Sequence, residues 1–184
     1  MAILQQDQFD LRVLQLVNQF RAENGRASLT LSEKLDKAAD KYANLMASQN
    51  IMSHTLNNTT IGSRTTAEGY VWNSVSENIA KGYTTPEQVV QAWINSPGHR
   101  ANMLATNITH MGLGYSSNGH YWSQSFARGD ANPGTYVAQT DGGSGGGLFG
   151  LLSSAGGVDV ITSDIVLFGL VSRNKSVLCI MALA

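Results

Sequence analysis

The chain has 184 residues, a length that suits one ordinary domain or one domain followed by a tail. Its 12 basic and 13 acidic residues give a formal net charge of −1, so no cationic field is present to hold phosphates and general nucleic-acid binding is disfavoured. The single cysteine, Cys179, excludes a disulfide within the chain.

Two amphipathic helices are predicted near the start of the chain. The first ends before Gly25, a natural C-cap, and its apolar positions at helical spacing are Phe9, Val13, Leu16, Val17 and Phe20. The second follows Ser32, which can accept hydrogen bonds from first-turn amides, and its apolar positions are Leu35, Ala38, Ala39, Tyr42 and Met46. His54 lies just past the end of this second helix.

A third helix is predicted to begin at Thr85. Thr85 is a suitable N-cap, Pro86 is tolerated at the first helical position, and Gln88 can complete a capping box. The buried stripe of this helix comprises Val89, Val90, Trp93 and Ile94. The sequence Ser-Pro-Gly at 96–98 is expected to end it.

The pair Asn118-Gly119 predicts a β-hairpin, because both residues tolerate the positive φ angles of a tight turn. The flanking β-rich runs place its antiparallel strands near Met111 to Tyr115 and Tyr121 to Phe126. Helices followed by such a hairpin indicate an α+β domain.

Glycine becomes dense after about residue 130, which predicts a domain at 1–130 and a Gly-rich linker with an apolar tail at 131–184. Residues 142–150 resemble one degenerate calcium-binding nonapeptide repeat. A single repeat cannot build a calcium β-roll, so a flexible linker is the simpler interpretation. Such repeats also accompany export through a C-terminal signal, which is the alternative hypothesis for this tail.

Three residues are candidates for chemistry. Glu77 is a lone carboxylate in an apolar stretch, so it is expected to have a partner such as a backbone amide or a histidine. His54 and His99 lie 23 and 22 residues from it, and spacing alone cannot bring the three together. His110 and His120 flank the predicted strands and are interpreted as hydrogen-bonded structural residues.

Several nearby side chains have a simpler structural interpretation. Trp93 lies on the apolar stripe of the third helix and is expected in the core. Trp72 and Tyr70 could line a groove, but a core position is favoured for both. Arg100 and Asn102 are expected to anchor the turn after His99 through hydrogen bonds to backbone carbonyls.

From about Leu11 to Phe126 the chain resembles the CAP superfamily of cysteine-rich secretory, antigen-5 and pathogenesis-related proteins, in its short bacterial form. The resemblance is carried by the ordered segments LVNQFRAENG, MSH, SENIA, VVQAWINSPGHRANML, HMGLGY and YWSQSFA. It implies a three-layer α-β-α sandwich with a small antiparallel sheet and a shallow cavity at one end.

In that family the cavity is lined by two histidines and two glutamates. By resemblance, His54, Glu77 and His99 match three of these four positions, whereas Asn95 and Ser96 occupy the neighbourhood of the second glutamate. Two imidazoles, His54 and His99, can hold Zn²⁺ weakly with waters completing the shell. Glu77 cannot serve as a ligand and as a general acid or base at once.

The function expected from this resemblance is that of an extracellular bacterial binding module for a ligand, a lipid or a partner. The expected partner is a small apolar molecule or a protein or cell-surface component. The alternative is a metal-dependent, peptidase-like hydrolase that uses His54, His99 and Glu77, and a purely structural domain is the third hypothesis. No conventional signal peptide is visible, and no apolar run approaches the ~18 residues of a membrane span.

Overall fold

The computed structural model describes residues 2–134 and 136. Its α-helices are α1 (Ala2–Glu23), α2 (Glu33–Gln49), α3 (Ile61–Ala67), α4 (Pro86–Asn95) and α5 (Pro97–Met103). Its strands are β1 (Thr30–Leu31), β2 (Ser74–Lys81), β3 (His110–Ser116) and β4 (Tyr121–Arg128), and a 3-10 helix spans Leu56–Asn58. Of the predicted linker and tail at 131–184, the structure describes residues 131–134 and 136, and the nonapeptide-like repeat and the hypothetical export signal lie outside the described residues.

The three predicted helices correspond to α1, α2 and α4, and their caps are formed by the expected residues. Ser32 Oγ accepts a hydrogen bond from the amide of Leu35, and Thr85 Oγ1 accepts one from the amide of Gln88. Gly25 follows α1 with a φ of +67°, the left-handed conformation that a glycine C-cap adopts. Gln88 Oε1 accepts from the amide of Thr84, so the second half of the capping contact lies one residue earlier than predicted.

The four strands form one sheet in the order β1-β3-β4-β2. The predicted hairpin is confirmed as β3 and β4, which pair antiparallel, and β2 pairs antiparallel with the other edge of β4. The expected small antiparallel sheet is thus present as β3, β4 and β2, and the two-residue strand β1 adds one parallel pair with β3. A parallel pair needs a long crossover, and here the chain between Leu31 and His110 supplies it.

The sheet is the middle layer of an α-β-α sandwich, so the expected fold is confirmed. On one face, Trp122 and Phe126 of β4 pack with Val13 and Val17 of α1 and with Trp93 of α4. On the other face, residues of α2 pack with the sheet side chains that point the opposite way, a cluster comprising Tyr42, Met46, Ala47, Ile79 and Tyr121. Trp93 is fully buried, as predicted.

Two glycines of β3 determine how closely α2 approaches the sheet. A Cβ atom on Gly112 would overlap the backbone of Leu35 and Asp36, and a Cβ atom on Gly114 would overlap the backbone of Ala39 and Asp40. The helix therefore lies directly on the strand, and no larger residue fits at either position.

The core interpretation of Trp72 is wrong, whereas that of Tyr70 is confirmed. Tyr70 is buried, but Trp72 lies on the loop before β2 and is 40% exposed. Its indole covers Gly62 and donates hydrogen bonds to the Gly62 carbonyl and to Thr66 Oγ1. The ring therefore lies over α3 at the surface, where its polar nitrogen has partners.

After β4, the described residues 129–134 and 136 contact the first two helices. Asp130 forms an ion pair with Lys34 of α2, at 2.8 Å. The hydroxyl of Tyr136 donates to Asp7 and Asp10 of α1, at 3.0 and 3.1 Å. Within the described part of the chain, no helix has the length and apolar character that a membrane span requires.

Candidate functional site

Glu77 lies in the middle of β2, and its side chain is only 4% exposed. One carboxylate oxygen, Oε1, lies 2.9 Å from Nδ1 of His54. The other, Oε2, accepts a hydrogen bond of 2.6 Å from Nη2 of Arg64. The sequence predicted a partner such as a histidine for this carboxylate, and His54 is that partner. Arg64 is a second partner, which the sequence did not predict.

The contact with Glu77 indicates the tautomer of His54. A carboxylate only accepts hydrogen bonds, so the proton of this imidazole lies on Nδ1 and the lone pair lies on Nε2. The His54 side chain is 56% exposed. Its basic nitrogen therefore belongs to a ring that solvent and ligands can reach.

His99 lies in α5, which is fastened to β2 by a chain of amide side chains. Asn78 Nδ2 donates to the His99 carbonyl at 3.3 Å, and Asn102 Nδ2 donates to the Glu77 carbonyl at 3.0 Å. The pKa of His99 is lowered, because burial disfavours the imidazolium and because positive charge on His54 repels it. These hydrogen bonds hold α5, which carries His99, beside the strand that carries Glu77.

Arg64 is the site residue that the sequence analysis missed. It lies in α3, and Nη1 donates to the His54 carbonyl and to Thr59 Oγ1, both at 3.2 Å. Its guanidinium carbon lies 3.4 Å from the centre of the Tyr42 ring, a cation-π contact. The only local signal for this element is the capping box that Thr60 and Ser63 form at the start of α3.

Asn95 and Ser96 lie at the junction of α4 and α5. Asn95 Oδ1 accepts a hydrogen bond from Gln91, and Ser96 is the N-cap residue of α5. Asn95 lines an open depression of about 710 Å³ together with Gly82, Tyr83, Gln88, Gln91 and Ala92. Neither side chain supplies a carboxylate, so neither replaces the second glutamate of the family cavity.

A second depression, of about 230 Å³, lies between α2 and α3. Its lining includes Ala38, Tyr42, Leu45, Asn57, Arg64 and Ala67. Because Tyr42 and Arg64 form part of its wall, this cleft adjoins the Glu77 ion pair. Lys41 and Glu68, which also line it, form an ion pair at 2.6 Å.

The donor set does not fit a catalytic zinc centre, which normally has three protein ligands. Among residues 2–134 and 136, no group of three or more His, Cys, Asp or Glu side chains is placed to hold a metal ion. Both oxygens of Glu77 are already engaged by His54 and Arg64. Only the two imidazoles remain as candidate ligands.

The remaining predicted side chains have the structural roles expected of them. His110 Nδ1 and His120 Nδ1 each lie 2.7 Å from a tyrosine hydroxyl, that of Tyr70 and that of Tyr115. Arg100 donates to the Ile94 carbonyl, which ties α5 to the end of α4. These residues hold the fold around the site and do not enter it.

Solved structures similar to this chain share its fold. An extracellular protein with an SCP domain from Bacillus anthracis superposes with a TM-score of 0.64 at 25% identity, covering 67% of this chain and 41% of that one. An outer surface protein of Borrelia burgdorferi gives a TM-score of 0.57 at 25% identity, covering 61% of this chain and 86% of that one.

Sequence comparison gives the same result. The Bacillus subtilis protein YkwD is 39% identical over 121 residues, which cover 64% of this chain and 46% of YkwD. The membrane protein YlbC of the same organism is 30% identical over 118 residues, covering 64% and 34%. The chain thus spans less than half the length of these two curated relatives. A family model described as the cysteine-rich secretory protein family, CAP, matches residues 14–137, and the chain belongs to that family.

Proposed function

We propose that this chain is an extracellular CAP-domain binding module that captures a small apolar ligand in the cleft between α2 and α3. The observation that carries this proposal is the wall shared by the cleft and the site, namely the stacked pair of Tyr42 and Arg64. A ligand in the cleft would lie against the guanidinium that binds Glu77. The cleft and the His54–Glu77 site would then act together in binding the ligand.

The volume of the cleft limits the size of the ligand that it can hold. Its volume of about 230 Å³ is smaller than the roughly 300–1,000 Å³ of typical small-molecule pockets, so a short acyl chain or a single ring is the appropriate class. The walls supply apolar contacts from Ala38, Leu45 and Ala67. Arg64 and Lys41, which are paired with Glu77 and Glu68, supply hydrogen-bond donors for a polar headgroup. A short fatty acid such as octanoate combines both features.

The extracellular location is part of the proposal and is supported by the relatives. One is described as an extracellular protein and another as an outer surface protein. A protein or cell-surface partner is the second candidate for recognition. The exposed pair Val71 and Trp72 favours it, because large apolar side chains at the surface are typical of interaction sites.

The metal-dependent hydrolase remains the alternative from another class of function. It requires Glu77 to act as a general acid or base, but both carboxylate oxygens accept hydrogen bonds from His54 and Arg64. Zn²⁺ remains an expectation for His54 and His99 alone, and ligand capture does not depend on it.

The proposal is tested by calorimetric titration of the full chain with octanoate and with octanol. We expect saturable binding of octanoate that is lost in Ala67→Phe, because the new ring fills the cleft. The matched control is Ala92→Phe, which fills the depression beside α4 and should leave binding unchanged. Wild-type protein that binds neither probe, or an Ala67→Phe variant that binds as well as the wild type, would rule the cleft out.

The same preparation distinguishes the two other hypotheses. Release of product from peptide, ester or lipid substrates that is abolished by a chelator and by His54→Ala would favour the hydrolase. Binding to intact cells that is lost in Trp72→Ala but unaffected by Ala67→Phe would favour the surface partner.

A further inference from the structure

We propose that Arg64 is a built-in counter-ion of Glu77, which takes the electrostatic place of a divalent cation and keeps the affinity of this site for metal low. The inference deepens the proposed function, and rests on it in assigning the site a binding role without a resident metal. It starts from one contact, the 2.6 Å hydrogen bond between Arg64 Nη2 and Glu77 Oε2.

The guanidinium is held in place from several sides. Besides Glu77, it contacts the His54 carbonyl, Thr59 Oγ1 and the face of the Tyr42 ring. These partners come from α2, from the segment before α3 and from β2. An arginine fixed by so many elements is part of the site and does not sample solvent as a surface arginine does.

Burial makes this charge effective. The side chains of Arg64 and Glu77 are 9% and 4% exposed, so little water screens the guanidinium from its neighbours. One of these neighbours is His54, whose backbone carbonyl Arg64 binds and whose imidazole shares the Glu77 carboxylate. A dication at the His54 ring would therefore meet a neutral ion pair in place of a free carboxylate.

The ion pair also weakens the help that Glu77 could give to a metal. A carboxylate that accepts the Nδ1 proton of a histidine makes the other ring nitrogen a better metal ligand. Here Glu77 holds that position toward His54, but its negative charge is balanced by Arg64. Removing the positive charge of Arg64 should restore the ability of Glu77 to strengthen His54 as a metal ligand. Carboxylates that hydrogen-bond a metal-binding histidine change metal affinity by about 10- to 100-fold.

The test is a calorimetric titration of the full chain with Zn²⁺ at pH 7.5, one unit above the ordinary histidine pKa of ~6.5. Arg64→Gln keeps a hydrogen-bond donor near Glu77 but removes the charge, and we expect it to bind Zn²⁺ at least tenfold more tightly than the wild type. The gain should vanish in Arg64→Gln/Glu77→Gln and in Arg64→Gln/His54→Ala. Both double variants are needed, because they assign the gain to this site.

Two controls separate the ion pair from net charge. Arg64→Lys keeps the charge and should bind Zn²⁺ as weakly as the wild type. Arg100→Gln removes the same charge from α5, next to His99, without touching Glu77, and should also match the wild type. An affinity for Zn²⁺ that is equal in Arg64→Gln and wild type, or a gain in Arg64→Lys or Arg100→Gln as large as that in Arg64→Gln, overturns the inference.

Folding is monitored by circular dichroism in the same titration. If Arg64→Gln is unfolded without metal, the Zn²⁺ concentration that restores half of the helical signal replaces the calorimetric constant. A variant that stays unfolded at millimolar Zn²⁺ also counts against the inference. Since no apolar ligand is used, failure here leaves the octanoate result intact, and failure of octanoate binding leaves this comparison valid.

Discussion

The Arg64 guanidinium and the Glu77 carboxylate form a buried ion pair that joins α3 to the middle of β2, with 2.6 Å between Nη2 and Oε2. The pair connects the site to a segment, 55–73, that has little hydrophobic core of its own apart from Leu56 and Tyr70. Removing one partner of such a pair leaves an uncompensated charge in a poorly hydrated environment. The site and the attachment of this segment therefore depend on the same contact.

The first prediction concerns the stability that this pair provides. Glu77→Gln should reduce the free energy of unfolding by about 3–5 kcal/mol, the usual cost of breaking a buried pair from one side. The double variant Arg64→Gln/Glu77→Gln should lose less free energy of unfolding than the sum of the losses in the two single variants, because it leaves no buried charge without a partner. Urea unfolding of the four proteins measures the difference. Strict additivity would mean that the two side chains contribute independently.

The second prediction concerns the contact between α2 and β3. Gly112→Ala should destabilise the domain by about 3 kcal/mol or more, because its methyl group has no room against the helix backbone. The control is Gly98→Ala in α5, where no atom lies within 4 Å of the added methyl group and a gain of about 0.4–1 kcal/mol is expected. Thermal unfolding compares them, and equal effects would contradict the close packing described here.

Local patterns were sufficient to predict most of the framework. The spacing of apolar residues predicted α1, α2 and α4, and Asn118-Gly119 predicted the hairpin of β3 and β4. Ser32 and Thr85 were identified as caps because their hydrogen bonds reach only three residues along the chain. The order of the family segments indicated that His54 and Glu77 belong to one site, and the structure joins them.

Other features depend on contacts that local patterns do not reveal. β2 was missed because buried polar residues break its alternation, and the partners of Asn78 lie 21 and 46 residues away, at His99 and Gln124. β1 is only two residues long and is defined by its pairing with β3. Arg64 gave no signal, because its role depends on where α3 packs and not on the residues beside it.

The third prediction concerns two tryptophans that differ in burial, Trp93 in the core and Trp72 at the surface. Trp93→Ala should cost about 3–5 kcal/mol, the range for a fully buried aromatic ring, from a total stability of about 5–15 kcal/mol. Trp72→Ala should cost roughly 1 kcal/mol, since this ring is partly exposed and loses mainly its hydrogen bonds. Melting temperatures provide the comparison. An unchanged value for Trp93→Ala would contradict its place in the core.

Four aspartates of α1 and α2 gather at the edge of β3 that β1 leaves unpaired. Asp36 accepts a hydrogen bond from the amide of Leu113, and Asp40 accepts one from the amide of Tyr115. Asp10 is buried beside them, and Tyr136 donates to both Asp7 and Asp10. Asp36 and Asp40 thus complete the edge of the sheet, and burial, together with repulsion from neighbouring carboxylates, raises the pKa values of Asp10, Asp36 and Asp40.

This arrangement predicts that stability falls as the pH rises from 7 to 9. Burial, followed by repulsion from Asp36 and Asp40, raises the pKa of Asp10 to about 9, so the folded state binds more protons than the unfolded state between pH ~4 and ~9. Stability from such a group is complete below its unfolded pKa and is lost as the pH approaches the folded value. His99 and His110 do not contribute to this slope above pH 7, because burial lowers their pKa values. Asp10 alone is expected to give a slope of about −1 kcal/mol per pH unit, close to the limit of ~1.4 for one proton. Asp36, whose pKa burial also raises, adds to the slope with the same sign.

Asp10→Asn, which mimics the protonated form, should make the slope shallower by about the Asp10 contribution. Asp130→Asn should not, since the hydrogen bond from Lys34 lowers the pKa of Asp130 and this group stays ionised throughout. Urea unfolding at pH 7, 8 and 9 measures the slope, and a wild-type stability that is constant or rises over this range would refute the assignment.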